Sequence, residues 1–250
     1  MPARVWLNVD LGELPDEPEA LYACAHVANV ACGGHAGDES SMRRAVELCA
    51  IHGAALGAHP SYPDREGFGR RKLAIGADAL RRSLGEQCAR LAAIARAAGA
   101  SIAFVKPHGA LYHAAHDDEA TAEAIVLGAM DGLGTLAGPV ARLTIIGPAG
   151  GALESIVSLL SISISTSPAS RPNLAFAREG FADRAARADG TVVPRGEPGA
   201  LILDPAAAAT RARALAAAGA IDTICVHGDT PGAVAVASAV RTVLDSRAGA

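Results

Sequence analysis

Seven short, almost uninterrupted apolar runs punctuate the chain, at residues 5–9, 27–32, 54–58, 102–106, 143–146, 174–177 and 223–226. Strict alternation of apolar and polar residues would mark strands with one wet face. Runs without alternation mark strands covered on both faces, the condition of a parallel sheet wrapped by helices. The longer stretches between them read as helices, over residues 39–52, 77–98, 118–130, 152–160, 205–218 and 232–246. Asp38 and the pair Thr230-Pro231 are start signals, and Gly53, Gly99 and Gly219 are stop signals. Seven strands joined by helical crossovers specify an α/β protein. A closed or nearly closed barrel is the first expectation and an open doubly wound sheet the second. With 250 residues and no composition break, linker or internal repeat, the chain reads as one barrel domain over residues 1–250. Aromatic residues make up only 3%, so the core must be built from Ala, Val, Leu and Ile.

Two segments break the rhythm. Residues 158–172, SLLSISISTSPASRP, are rich in Ser and Ile and end in turn residues; the reading favoured is a surface insertion. Residues 180–199 are charged and carry Pro194 and Pro198, as in a long functional or packing loop. A formal net charge of −4 without a basic block argues against nucleic acid as a partner. No uncharged apolar run reaches the ~20 residues that span a membrane, and the first ten residues lack the apolar stretch of a signal peptide. Five cysteines, an odd number with no CxxC pair, do not form a disulfide framework or a structural zinc site. A reducing cytoplasm is the expected compartment.

The informative feature is where the polar residues fall. Asn8 and Asp10 end the first run, and the second leads into CGGHAGD with His35 and Asp38. His59 ends the third, Lys106 and His108 the fourth, Glu179 follows the sixth, and His227 and Asp229 follow the seventh. In parallel α/β folds the C-terminal strand ends share one face, where ligands bind. Taken singly, each residue has a structural explanation: Asp38 is also a natural helix cap, and the glycines of CGGHAGD also serve tight turns. Gathered at one mouth, four histidines and several carboxylates would be a costly set of desolvated groups without a ligand.

These residue types suit acyl chemistry on a small polar substrate. Carboxylates and histidines serve as general base and acid. Lys106, one of only two lysines, suits a carboxylate or a developing oxyanion. Arg184 and Arg195 can clamp a substrate carboxylate or form surface ion pairs. An Asp-His-His divalent metal site is a further option, drawn from Asp10, His59 and His108, although HExxH and HxH are absent. GxSxG and the Walker sequence GxxxxGK[ST] are absent as well, so the chain carries no Walker-type ATP site. The turn GPAGG at residues 147–151 precedes a helix and could cradle an anion, but it lacks a lysine and reads more simply as a turn.

Six segments carry a resemblance. LNVDLGE (residues 7–13), NVACGGHAGD (29–38), GAHPSYPDREGFGRR (57–71), VKPHGALY (105–112), REGFADRAARADGTVVPRGEPGALI (178–202) and CVHGDTPGAV (225–234) resemble, in order, the blocks of the LamB/YcsF family. The resemblance spans nearly the whole chain. It implies a distorted seven-stranded β/α (TIM-like) barrel, similar to that of glycoside hydrolase/deacetylase-like proteins. It also implies ATP-dependent opening of 5-oxo-L-proline (pyroglutamate) to L-glutamate, carried out with two further subunits, B and C. The missing Walker sequence is consistent with ATP being used by the complex.

On this reading Asp10 or His35 activates water, His59 or His108 protonates the departing nitrogen, and Lys106 stabilises negative charge. Arg184 or Arg195 binds the substrate carboxylate. His227 and Asp229 orient a neighbour or bind the anion, with Asn8, Asp38 and Glu179 completing the substrate site. Two other readings stand beside it: a metal-dependent deacetylase of N-acetyl sugars, and a non-catalytic subunit that binds a small molecule. Composition leaves a homo-oligomer and a hetero-complex equally open. The sequence departs from the family pattern at Gly34, where Phe is usual, and at Ala186, where an aromatic residue is usual. Family members also reach the GFADR block sooner after the GPAG turn.

Overall fold

A computed structural model describes residues 5–134, 142–165, 173–187 and 191–246. Seven parallel strands close into a barrel in simple sequence order: β1 (Trp6–Leu11), β2 (Val27–Ala31), β3 (Ala55–His59), β4 (Ile102–Val105), β5 (Arg142–Gly147), β6 (Asn173–Phe181) and β7 (Thr223–His227). β7 returns to pair with β1, placing Asp10 opposite His227, and the open-sheet alternative is excluded. The helices α1 (Ala20–Cys24), α2 (Glu39–His52), α3 (Ala77–Ala97), α4 (Gly109–Asp117), α5 (Glu119–Leu133), α6 (Ala152–Ser165) and α7 (Pro205–Ala218) lie between the strands in sequence, and α8 (Ala233–Ser246) follows β7.

Strand periodicity of two sorts the side chains. On β1, Leu7, Val9 and Leu11 are fully buried among the apolar residues of the barrel–helix layer. Asn8 and Asp10 take the other face, inside the barrel. There Asn8 donates from Nδ2 to Glu179 of β6 (2.9 Å) and to Thr223 of β7 (2.8 Å). Asn29 of β2 donates to Asn8 (2.8 Å) and Asp10 (3.0 Å). The apolar layer outside supplies the stability, at about 1.5–3 kcal/mol for each large side chain buried. The polar interior is tolerable because its groups bond to one another.

Several boundaries differ from expectation. β6 extends to Phe181, four residues past the apolar run, so Glu179 lies within a strand rather than after one. Hydrophobic periodicity does not predict α1 or α4: α1 has five residues, and α4 starts at Gly109, directly after its N-cap His108. Residues 158–165, assigned to an insertion, continue α6; the remainder of that segment, 166–172, lies outside the described residues. The GPAGG turn is occupied by the chain itself, since the Gly150 amide donates to Glu154 (2.8 Å). No helix among the described residues is long and apolar enough to cross a membrane.

Candidate active site

Asp10, His59, Lys106, His108, Arg184, Arg195 and His227 line one cavity of about 600 Å³, together with Tyr112 and Phe181. The strand ends therefore do converge, from positions 10 to 227 of the chain.

At its base Lys106 Nζ lies 2.9 and 3.0 Å from the two Asp10 oxygens, 3.0 Å from Glu179 Oε1 and 3.0 Å from Cys225 Sγ. Burial opposes the charge on Lys106, but the negative potential of Asp10 and Glu179 outweighs it and holds the ammonium pKa well above the ordinary lysine value. Burial likewise opposes ionisation of Asp10; His59 and Lys106 reverse the balance and lower its pKa. Glu179 goes the other way: burial dominates and raises its pKa despite Lys106. Glu179 Oε2 and the Tyr112 hydroxyl are both buried without a hydrogen-bond partner. Tyr112 is held well above its usual range by burial and the neighbouring Glu179 charge.

His227 forms the second part. Its Nδ1 faces both oxygens of the fully buried Asp183 at 3.0 and 3.1 Å, and its backbone amide donates to the same carboxylate (2.9 Å). Its Nε2 points to Asp10 Oδ2 at 3.9 Å, and its ring stacks on Phe181. Burial disfavours the imidazolium, but Asp183 more than compensates and the His227 pKa is raised. Burial opposes ionisation of Asp183 in turn, and the His227 interaction outweighs it and lowers the Asp183 pKa.

The third part is a histidine cluster around Glu13. Glu13 Oε1 lies 2.9 Å from His35 Nε2, 3.2 Å from His108 Nδ1 and 3.7 Å from His59 Nε2. His35 and His108 stack in parallel with centroids 3.7 Å apart. The loop after β3 shapes this cluster. Phe68 adopts a left-handed φ of 53°, uncommon for a bulky residue, and its carbonyl faces His108 Nε2 at 3.0 Å. A side chain at Gly69 would meet the rings of the cluster: its Cβ would fall 2.9 Å from both His108 Cδ2 and His35 Cβ. Burial lowers the His35 pKa despite Glu13, and lowers His59 to about 3 despite Asp10. Burial opposes ionisation of Glu13, but its close contacts with His108 and His35 outweigh it and hold the carboxyl well below its ordinary value.

The remaining sequence candidates take other places. His35 is 2% exposed and lies behind the cavity wall against Glu13 instead of lining the cavity. Asn8 and Glu179 form the hydrogen-bonded layer beneath Lys106. Asp38 is not at the mouth. It is the exposed N-cap of α2, accepting from the Ser41 amide at 2.8 Å in a reciprocal capping box, so its structural explanation holds. Asp229 bridges Arg70 (2.7 Å) and Arg195 on the rim, positioning two cations. Arg184 is 8% exposed, donates to the Val193 carbonyl (2.7 Å), and keeps its Nε unpaired. Burial and the nearby Arg195 lower its pKa. The proposed Asp10–His59–His108 metal set is split: metal-type donors group as Glu13, His35, His59 and His108, and separately as Asp10, Cys225 and His227.

Glu13, Asp183, Asn29 and Cys225 join the site without a clear signal in the sequence. Glu13 lies past the end of the first apolar run, within a motif whose Asp draws the eye first. Asp183 sits beyond a strand longer than its apolar run. Asn29 interrupts an apolar run, and that interruption is the available signal of an inward-facing polar position.

Fold and site together define a parallel β/α-barrel protein that gathers acid, base and cationic groups at the C-terminal mouth, the arrangement used to handle small polar molecules. The chain belongs to the LamB/YcsF family, whose model matches residues 5–249. It is 41% identical to the A subunit of 5-oxoprolinase from Methylococcus capsulatus, over 99% of this chain and 94% of that protein. It is 40% identical to the protein of the same name from Streptomyces coelicolor, over 96% and 95% of the two chains. Among solved structures it is similar to the lactam utilization protein from Thermus thermophilus, with a TM-score of 0.82, 32% identity, and coverage of 98% and 97%.

Proposed function

We propose that this chain is the lactam-handling subunit of an ATP-dependent 5-oxoprolinase, opening 5-oxo-L-proline to L-glutamate together with partner subunits B and C in the cytoplasm. The observation that carries this reading is the convergence of Asp10, Lys106, His227 and Arg184 on one cavity, in a chain about 40% identical to proteins named for that activity.

A γ-lactam keeps its amine tethered to its carbonyl, so ring closure opposes hydrolysis and coupling to ATP supplies the driving force. Transfer of a phosphoryl group to the amide oxygen makes the ring carbon electrophilic. That step and the ATP belong to the complex. Within this chain, Arg184 lines the cavity and its guanidinium binds the substrate carboxylate. Lys106, held charged by its carboxylate partners, stabilises negative charge on the carbonyl or phosphoryl oxygens. Asp10 is ionised and accepts a proton from the attacking water. His227, whose protonated form Asp183 favours, donates to the departing nitrogen; C–N cleavage leaves a γ-glutamyl phosphate, and its hydrolysis gives glutamate and inorganic phosphate. His35 has no direct part in this scheme; it supports Glu13 from behind the cavity wall.

The test is reconstitution. The chain is mixed with subunits B and C, ATP and 5-oxoproline, and glutamate release is followed with each component omitted in turn. Release that persists without this chain, or without ATP, overturns the reading.

A further inference from the structure

The hydrogen-bond partners of the histidine cluster fix its chemistry. The Lys106 carbonyl oxygen, 2.7 Å from His59 Nδ1, can only accept, so His59 carries its proton on Nδ1 and its Nε2 is a bare lone pair. The Phe68 carbonyl oxygen, 3.0 Å from His108 Nε2, can also only accept, so neutral His108 is bare at Nδ1. These two bare nitrogens face each other at 3.0 Å. Glu13 Oε1 stands 3.2 Å from one and 3.7 Å from the other, and His35 Nε2 lies 2.9 Å from the same oxygen. His35 Nδ1, in a residue 2% exposed, has no hydrogen-bond partner. Electron-pair donors that converge in a buried space require an acceptor among them. A proton serves only one contact at a time, whereas a metal ion serves all.

We propose that Glu13, His35, His59 and His108 form a binding centre for a late first-row divalent cation, with Zn²⁺ the best match. Metal–ligand distances of about 2.0–2.2 Å in a tetrahedron put neighbouring donors roughly 3.3–3.6 Å apart. The four contacts above, from 2.9 to 3.7 Å, bracket that spacing. Three imidazoles and one carboxylate favour Zn²⁺, Co²⁺ or Ni²⁺ over Mg²⁺ and Ca²⁺, which seek oxygen. The supporting contacts have the form expected around metal-bound histidines, with the distal N–H of His59 and His108 each donating to a backbone carbonyl. His59 and His108 also line the cavity, so the centre borders the place where substrate would lie.

The experiment uses the isolated full chain, without subunits B and C, so its outcome is separate from that of the ring-opening reading. The protein is dialysed against EDTA, then titrated with Zn²⁺ by calorimetry and with Co²⁺ by absorption spectroscopy. Bound metal is counted by mass spectrometry. The expected result is about one ion per chain and a Co²⁺ spectrum of tetrahedral imidazole coordination. Glu13→Gln and His59→Gln should each weaken binding about 100-fold or more, while His52→Gln, on the last turn of α2, should leave it unchanged. Circular dichroism establishes that each variant is folded. If a variant does not fold, the wild-type Co²⁺ spectrum decides. Absence of stoichiometric binding, a hydrated octahedral spectrum, or affinity unmoved in folded Glu13→Gln and His59→Gln overturns the proposal.

Discussion

Lys106 Nζ is nearly equidistant from the two carboxylate oxygens of Asp10, at 2.9 and 3.0 Å, and both residues are 2% exposed. At that depth each charge is the other's nearest ionic partner, with Glu179 also 3.0 Å from Lys106. Removing one member of a buried pair strands its partner and typically costs 3–5 kcal/mol, by contrast with replacing both. Lys106→Met should therefore lower unfolding free energy by about 3–5 kcal/mol and abolish glutamate release by the complex. Asp10→Asn with Lys106→Met should regain most of the stability and none of the turnover. Urea denaturation of the isolated chain measures the first effect. A single-variant loss below about 1 kcal/mol, the range of exposed pairs, would show that the pair does not sit in a dry interior.

His227 and Asp183 make stability depend on pH on the alkaline side. The folded His227 pKa is raised above the ordinary 6.5. Its contribution is thus fully present below pH 6.5 and is lost as pH rises through the folded pKa, because the unfolded chain has already released the proton. Asp183, lowered from 3.8, contributes above that pH and is lost only as pH falls through its folded pKa. As pH rises from 6.5 through the folded pKa, the wild type should therefore lose stability at up to about 1.4 kcal/mol per pH unit. The slope should flatten in His227→Gln. Melting temperatures at four pH values test this, and equal slopes in the two proteins would remove His227 as the source. If His227 is the acid for the departing nitrogen, the wild-type rate should fall over the same alkaline limb.

The barrel was legible because parallel strands buried on both faces must be apolar throughout, and Leu7, Val9 and Leu11 carry that signal plainly. The site was legible where titratable residues follow the runs directly: Asp10, His59, Lys106 and His227 all reach the cavity. Two kinds of information were hidden. Residues beyond the run ends, such as Glu13 and Asp183, are placed by loop geometry, including the left-handed Phe68, which no periodicity encodes. Depth was hidden as well. Asn8 and Glu179 look like rim residues by position but belong to the layer under Lys106. Asp38 shows the opposite error, because a strong helix-capping signal and a strand-end acid are written with the same letter.

Gly34 faces a filled space. A Cβ there would come within 2.3 Å of Gln87 Oε1 and 2.5 Å of Ser61 Oγ. Gln87 cannot simply swing aside, since it accepts from the Ser61 amide (3.0 Å) and donates to the Ser61 carbonyl (2.9 Å). Gly34→Ala should cost about 1–3 kcal/mol. In a Gln87→Ala background the same change should cost less, with a coupling of about 0.5–3 kcal/mol. A double-mutant cycle by denaturation reads this directly. Additive effects would mean that Gln87 does not fill the space a larger residue would use.

Arg184 distinguishes substrate capture from chemistry. It is largely buried at the cavity wall, with one nitrogen spent on the Val193 carbonyl. Arg195 and Arg70 are instead engaged by Asp229. A charge-assisted hydrogen bond contributes about 1.5–3 kcal/mol, so Arg184→Gln should reduce kcat/KM for 5-oxoproline by about 10- to 150-fold. Because the carboxylate is bound equally in the ground and transition states, the loss should fall mainly on KM. Arg184→Lys keeps the charge but loses the planar fork, and should recover only part of the affinity. A variant with unchanged KM and a collapsed kcat would move Arg184 from the carboxylate to the reacting atoms, and unchanged kinetics would remove it from the site.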